Sequence, residues 1–331
     1  MLKKSGGYRR NAWKEKLILA VIETIDLHHR YPQQKKGQWA LEGIDLKVGE
    51  GEMHGLLGPD GAGKTTLLRI LATVKKPYQG EAFVQGFSTR KQAAKICRII
   101  GYMPQNFSLY PDLSVVENLN FFADTQGMEK RNKIERIFRM IEFARLGDFK
   151  DLRAGNLSGG MKKKLALGCA LIHEPKILLL DEPSTGVDPV SRRELWLILS
   201  QVVAGGVTVF VSTPYMDEAE RCHRVSILYQ GAILTEGIPA DLTSNLPYQI
   251  VEVRGKPRKI TRQVVKELAS VLAWRPIGDR FRLAVRKPEE TIQQLTTLLN
   301  EADVEIKLLT QSRRTMEDVF IHLVDAERLK Q

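Results

Sequence analysis

The stretch GEMHGLLGPDGAGKTTLLRILATV, residues 51–74, constrains this chain more than any other. An apolar strand runs into a glycine-rich turn, and the turn opens a helix. Gly58-Pro59-Asp60-Gly61-Ala62-Gly63-Lys64-Thr65 fits the pattern G-x-x-x-x-G-K-[ST], and Thr66 continues the cradle. Glycines let successive backbone N–H groups turn inward on a polyphosphate, and the helix start adds the positive end of its dipole. Lys64 is then placed to reach the β- and γ-phosphates, and Thr65 to hold Mg2+. The bland alternative is a chance glycine-rich turn, which the flanking strand and helix argue against.

Residues 16–245 extend the same layering. Short apolar segments (LILAVIETI, GEMHGLLG, EAFVQG, IIGYMPQ, KILLLDEP, GVTVFVST, RVSILYQG) alternate with longer helical patterns. That alternation predicts an α/β fold with a largely parallel sheet. Between Gln105 and Leu157 the pattern turns mostly helical, and Ser114 with Glu117 reads as a capping box. Residues 106–160 are therefore predicted as a helical insertion. Around 238–247, IPADLTSNLP breaks the rhythm. Residues 246–331 then run strand, helix, two strands through Gly278-Asp279, helix, strand and a last helix from about Met316. This order predicts a small ferredoxin-like α+β domain, in which His322 reads as structural.

Composition narrows the setting. At 331 residues, 43% apolar and 27% charged, the chain is expected to be soluble and to hold about two domains. No apolar segment approaches the roughly 18 residues that cross a bilayer. The first sixteen residues carry six Lys/Arg against one Glu, with no small-residue cleavage site. Residues 1–15 are predicted as a basic tail rather than a signal peptide. Cys97, Cys169 and Cys222 form no metal-like pair, which predicts a reduced, cytosolic chain. A net charge of +11 suits nucleic acid, a ribosome or an anionic membrane face, and does not choose among them.

Three more stretches decide what the cradle serves. Ile177-Leu178-Leu179-Leu180-Asp181-Glu182 is a buried strand ending in two acids. Asp181 can enter a Mg2+ shell, and Glu182 can orient and deprotonate an attacking water; a solvated strand cap is the alternative. Leu157-Ser158-Gly159-Gly160 opens a helix whose Met161, Leu165, Cys169 and Ile172 are spaced for one buried face. Ser158 is a natural N-cap there, and the glycines leave helix amides open to an anion. Gln105 follows the strand of GYMPQ, where its amide can touch both Mg2+ and water.

Together these stretches resemble the ATP-binding subunit of ABC transporters. Five of them fall in that family's order: the cradle at 58–66, a glutamine loop at Gln105, the signature at 157–160, the acid strand at 177–183 with its D-loop at 186–188, and a switch region at 212–214. The likeness covers roughly residues 16–240. It is nearest the drug-efflux-like, YbhF-like group of type-2 exporters, through GPDGAGKTT, LSGGMK and the 189–196 stretch PVSRRELW. Ser312–Phe320 resembles the SRRPTLEDVF-type tail of drug-exporter ATPases.

The resemblance implies a P-loop NTPase fold of ABC type with a helical insertion, binding ATP and Mg2+. Lys64, Gln105 and Glu182 would be catalytic, and Thr65, Gln105 and Asp181 would surround the metal. Tyr31 would stack on adenine; a plain strand-end aromatic is the alternative. Ser158, Gly159 and Gly160 would meet the γ-phosphate of ATP held by a second nucleotide-binding subunit, and Asp188 would cross that interface. The pair would be a homodimer or, as the alternative that Pro214 leaves open, this chain beside a different nucleotide domain whose own site is complete. The implied partners are separate permease subunits and no nucleic acid. The implied place is the cytoplasmic face of the membrane, bound peripherally. The implied work is ATP hydrolysis driving export of a drug-like or hydrophobic substrate.

Two other functions fit parts of the sequence. A soluble ABC ATPase acting on ribosomes or nucleic acid would suit the charge, but the usual second nucleotide domain or coiled-coil insertion is not found. A regulatory subunit that binds ATP and hydrolyses little is suggested by Pro214, which stands where the family carries a histidine beside the γ-phosphate. Proline has neither that donor nor a backbone N–H. Asp60 for the usual asparagine, and Met161 for a polar residue, are smaller departures.

Overall fold

The computed structural model describes residues 20–32, 39–106 and 109–329. The basic tail over residues 1–15 and the opening residues of LILAVIETI lie outside the described residues. In chain order the strands are β1 (Ala20–His29), β2 (Leu41–Gly49), β3 (Met53–Leu57), β4 (Gln79–Val84), β5 (Phe87–Ser88), β6 (Ile100–Met103), β7 (Ile177–Asp181), β8 (Thr208–Thr213), β9 (Arg224–Tyr229), β10 (Ala232–Gly237), β11 (Gln249–Lys256), β12 (Val271–Ile277), β13 (Arg280–Val285) and β14 (Glu305–Ser312). The α-helices are α1 (Lys64–Leu71), α2 (Ala93–Cys97), α3 (Val115–Thr125), α4 (Lys130–Phe143), α5 (Gly159–Leu171), α6 (Pro189–Ala204), α7 (Met216–Ala219), α8 (Pro239–Ser244), α9 (Arg258–Glu267), α10 (Pro288–Glu301) and α11 (Met316–Arg328). The chain divides into two compact units, Met1–Glu52 with Thr65–Phe210, and Met53–Lys64 with Val211–Gln331.

In the first unit, β2, β1, β4 and β5 form an antiparallel sheet in that order. Strands β6 and β7 pair in parallel, from Ile100 opposite Ile177 to Met103 opposite Leu180. Every residue of β7 is buried, as expected of a continuous apolar run covered on both faces. The predicted insertion holds α3 and α4. Its first helix starts at the foreseen capping box: Ser114 Oγ accepts from the Glu117 amide at 3.2 Å, and Glu117 Oε2 accepts from the Ser114 amide at 2.7 Å. Asn118 is buried and donates to the carbonyls of Tyr110, Leu113 and Ser114, which fixes the approach to α3.

Helix α5 departs from the single buried face predicted for it. Gly160 and every residue from Lys163 to Leu171 are buried, while Met161 is only half-buried. Small side chains explain this. Ala166, Gly168 and Ala170 let neighbours approach on the sides where a longer side chain would stand them off, so the helix is covered all round.

In the second unit, β3 runs parallel to β9, and β9 antiparallel to β10. Strands β11 to β14 make an antiparallel sheet of order β12-β13-β11-β14, and α9 and α10 join it in the βαββαβ sequence that was predicted. Its core includes Val251, Val253, Val265, Phe281, Leu283 and Leu295. Helix α11 is tied to this sheet by a buried carboxylate. Asp318 accepts from Arg282 Nη2 at 2.7 Å, from Arg282 Nε at 3.1 Å and from Arg275 Nη2 at 2.8 Å.

Candidate functional site

The cradle begins where β3 ends. A Cβ on Gly58 would lie 2.2 Å from the carbonyl oxygen of Leu228, so the chain can leave the strand this close to β9 only as glycine. Gly61 and Gly63 have φ of +80° and +111°, the left-handed region that turns backbone amides inward. Ala62 is buried, and its carbonyl accepts from the Gly231 amide at 3.1 Å. Pro59 is half-buried and Asp60 exposed. Lys64 is 3% exposed, and its ammonium donates across the loop to the carbonyls of Gly58 at 2.8 Å and Pro59 at 3.0 Å.

Thr65 is the next residue of the same helix. Its hydroxyl donates to Asp181 Oδ1 at 3.1 Å, at the buried end of β7. Among the described residues there is no cluster of three or more His, Cys, Asp or Glu that could hold a metal. A hydroxyl beside one carboxylate instead fits Mg2+ bound chiefly by substrate phosphates. Thr66 is buried and shares a 3.0 Å hydrogen bond with the hydroxyl of Tyr31. The Tyr31 ring is half-buried, edge-on to His29, with Lys75 Nζ 4.7 Å from its centroid. Burial, and then the Lys75 charge, push the His29 imidazole below its ordinary pKa.

Glu182 is 4% exposed and has φ of +50°, a conformation that costs a non-glycine residue about 1–3 kcal/mol. Its Oε2 accepts from Gln105 Nε2 at 2.9 Å and from Thr185 Oγ1 at 3.3 Å. Strain and two donors together hold the carboxylate in one place. Behind Gln105 stands Lys163 of α5, 8% exposed, whose ammonium donates to the Gln105 backbone carbonyl at 3.4 Å. Burial pulls the Lys163 pKa below its ordinary value, while Asp181 and Glu182 pull the other way.

The signature residues sit at the start of α5. Ser158 caps it, accepting from the Met161 amide at 3.3 Å, and is exposed together with Gly159. Gly160 is buried, and a Cβ there would lie 2.4 Å from Ser191 Cβ and Oγ. Its glycine therefore has a packing cause within the chain. Asp188 is exposed and caps α6, accepting from the amides of Val190 and Ser191, each at 3.0 Å. The hydrogen bonds from Ser191 hold its carboxyl below the usual range.

Pro214 is half-buried just after β8. Thr213 Oγ1 beside it accepts from the Tyr215 amide at 3.0 Å and donates to the buried Glu218 carboxylate. Sequence reading singled out neither Lys163, Thr185 nor Glu218. Lys163 stands in the run Lys162-Lys163-Lys164, where three identical charges conceal which ones turn inward. Thr185, three residues after Glu182, was the more readable of the three, since a hydroxyl there can reach back to the acid.

A family model described as ABC transporter matches residues 41–185. The chain is 40% identical over 308 residues to the probable multidrug ABC transporter ATP-binding protein YbhF of Escherichia coli (strain K12), covering 92% of this chain and 52% of that one. The chain thus spans about half the length of that relative. It is 33% identical over 315 residues to the daunorubicin resistance ATP-binding protein DrrA3 of Streptomyces coeruleorubidus, covering 92% of this chain and 96% of the other. A dimeric ATP-binding cassette, MJ0796, solved in a post-hydrolysis state with ADP and Pi, superposes with a TM-score of 0.61 at 26% identity, covering 66% of this chain and 98% of that one.

Proposed function

Since the chain belongs to the ABC transporter ATP-binding family, we propose that it binds and hydrolyses ATP to drive a type-2 exporter through separate permease subunits. No helix among the described residues is long and apolar enough to cross a membrane. The permease partner and the place at the cytoplasmic membrane face follow from the likeness to exporter ATP-binding proteins. The multidrug and daunorubicin-resistance names of its relatives favour a drug-like or hydrophobic cargo. Two copies close on two ATP molecules, with Ser158, Gly159 and Gly160 of each copy meeting the γ-phosphate on the other and Asp188 at the seam. The ATP-binding part is assigned to 16–245, and 246–331, with its own sheet and core, is assigned as an accessory domain.

In this reading the cradle from Gly58 to Thr66 and Lys64 hold the phosphates, and Tyr31 meets the base. Thr65, Asp181 and Gln105 would hold Mg2+, which when bound would neutralise charge on the phosphates. Glu182 takes the proton of the attacking water. The observation that carries the reading is Glu182 itself: buried, strained, and fixed by Gln105 and Thr185.

Phosphate release by the full chain with ATP and Mg2+ tests it. The wild-type protein is expected to turn over, and Glu182→Gln and Lys64→Ala to lose roughly a hundredfold or more. Equal rates for wild type and Glu182→Gln would remove Glu182 from the chemistry. Purification from membranes with a bound permease is the matching test of the partner.

A further inference from the structure

Helix α5 buries two consecutive lysines, and among the described residues only one has a carboxylate in hydrogen-bonding contact. Lys164 Nζ lies 2.9 Å from Glu194 Oε2, so its burial is compensated by an ion pair. Lys163 is equally buried, yet its one hydrogen bond among the described residues is the 3.4 Å contact to the Gln105 backbone carbonyl. Burying an ammonium that carries so little hydrogen bonding is unfavourable, and the charges that offset it, Asp181 and Glu182, belong to the site it faces. That site is the acid end of β7: Gln105, held by Lys163 through its backbone, holds Glu182 through its side chain at 2.9 Å.

We propose that Lys163 is a positioning residue for ATP hydrolysis, fixing the Gln105 loop so that its side-chain amide keeps the Glu182 carboxylate in its reactive place. The inference rests on the proposed role of Glu182. Lys163 does not touch the reacting atoms and acts through Gln105. Its demand is for a cation of this reach at this point of α5, so arginine serves and an apolar side chain of the same length does not.

Two measurements on the full-length chain test this, using Lys163→Met and Lys163→Arg. Steady-state turnover should fall roughly tenfold in kcat for Lys163→Met with KM for ATP nearly unchanged, and Lys163→Arg should restore most of it. Hydrogen exchange read without nucleotide should rise in peptides covering Gln105 and Glu182 for Lys163→Met, and not for Lys163→Arg. A kcat like wild type in Lys163→Met, or a loss that arginine does not repair, overturns the proposal. Exchange unchanged in Lys163→Met overturns it too, and that result stands even if the wild-type chain fails to hydrolyse ATP. A wild type without turnover sinks the parent reading alone.

Discussion

Single residues set the site's tolerance. Gly160 is held by Ser191, whose Cβ and Oγ would each lie 2.4 Å from an added methyl. Gly160→Ala is therefore expected to destabilise the chain by about 1–3 kcal/mol, as overpacking does. Combining it with Ser191→Gly removes the obstructing atoms, so the double variant should lose less than the sum of the singles in denaturant unfolding. Additive losses would mean that the contact is not the cause. Pro214 is a different kind of residue, because what matters is a donor it lacks. Thr213 accepts the Tyr215 amide and binds Glu218, so the turn around position 214 is held by its neighbours. Pro214→His should therefore keep that turn and put a hydrogen-bond donor at the position where the family carries one. Phosphate release is expected to rise several-fold, and an unchanged rate would show that the histidine is not what limits turnover here.

Among elements, legibility followed locality. The cradle, the α3 capping box and β7 were readable because neighbouring residues cause them: glycines at left-handed positions, a Ser and Glu three apart, an unbroken apolar run. The βαββαβ order at 249–312 was readable from alternation and a Gly-Asp turn. What escaped depends on distant partners. The all-round burial of α5 is decided by what packs on it, and the Lys163–Gln105 contact joins residues 58 positions apart. The docking of α11 is of the same kind. Burial pushes the Asp318 carboxyl up, but hydrogen bonds from Arg282 and Thr315 and the Arg282 charge outweigh it and hold its pKa below the ordinary value. A carboxyl depressed in the folded state stabilises above its unfolded pKa of about 3.9, and that stability is lost as pH falls through the folded pKa. Asp318→Asn should cost about 1–3 kcal/mol at neutral pH, since Arg282 keeps Glu252 as a partner. Its stability should also fall less than wild type's as pH drops below about 4. Faster amide exchange in α11 of the variant is the local readout, and an acid response equal to wild type's would acquit Asp318.

For the whole molecule, the proposal that two copies share each ATP can be tested by complementation. Lys64→Ala disables the cradle of its own copy. Gly159→Asp leaves the fold alone: a Cβ there finds only the Gly186 carbonyl oxygen at 3.6 Å, and an acid suits the first turn of α5. The new carboxylate would instead repel the γ-phosphate held by the other copy. Each variant by itself has two defective composite sites. In a mixed dimer, both defects fall on one site, and the other pairs an intact Lys64 cradle with an intact signature helix. Equal mixing makes half the dimers mixed, with one good site in two, so turnover should return to roughly a quarter of wild type at most. Failure to recover any turnover, with both variants folded and exchanging subunits, would mean either that ATP is worked on within one copy or that one intact site is not enough. Gly159→Asp alone separates these: full activity in that variant places the whole reaction in a single chain.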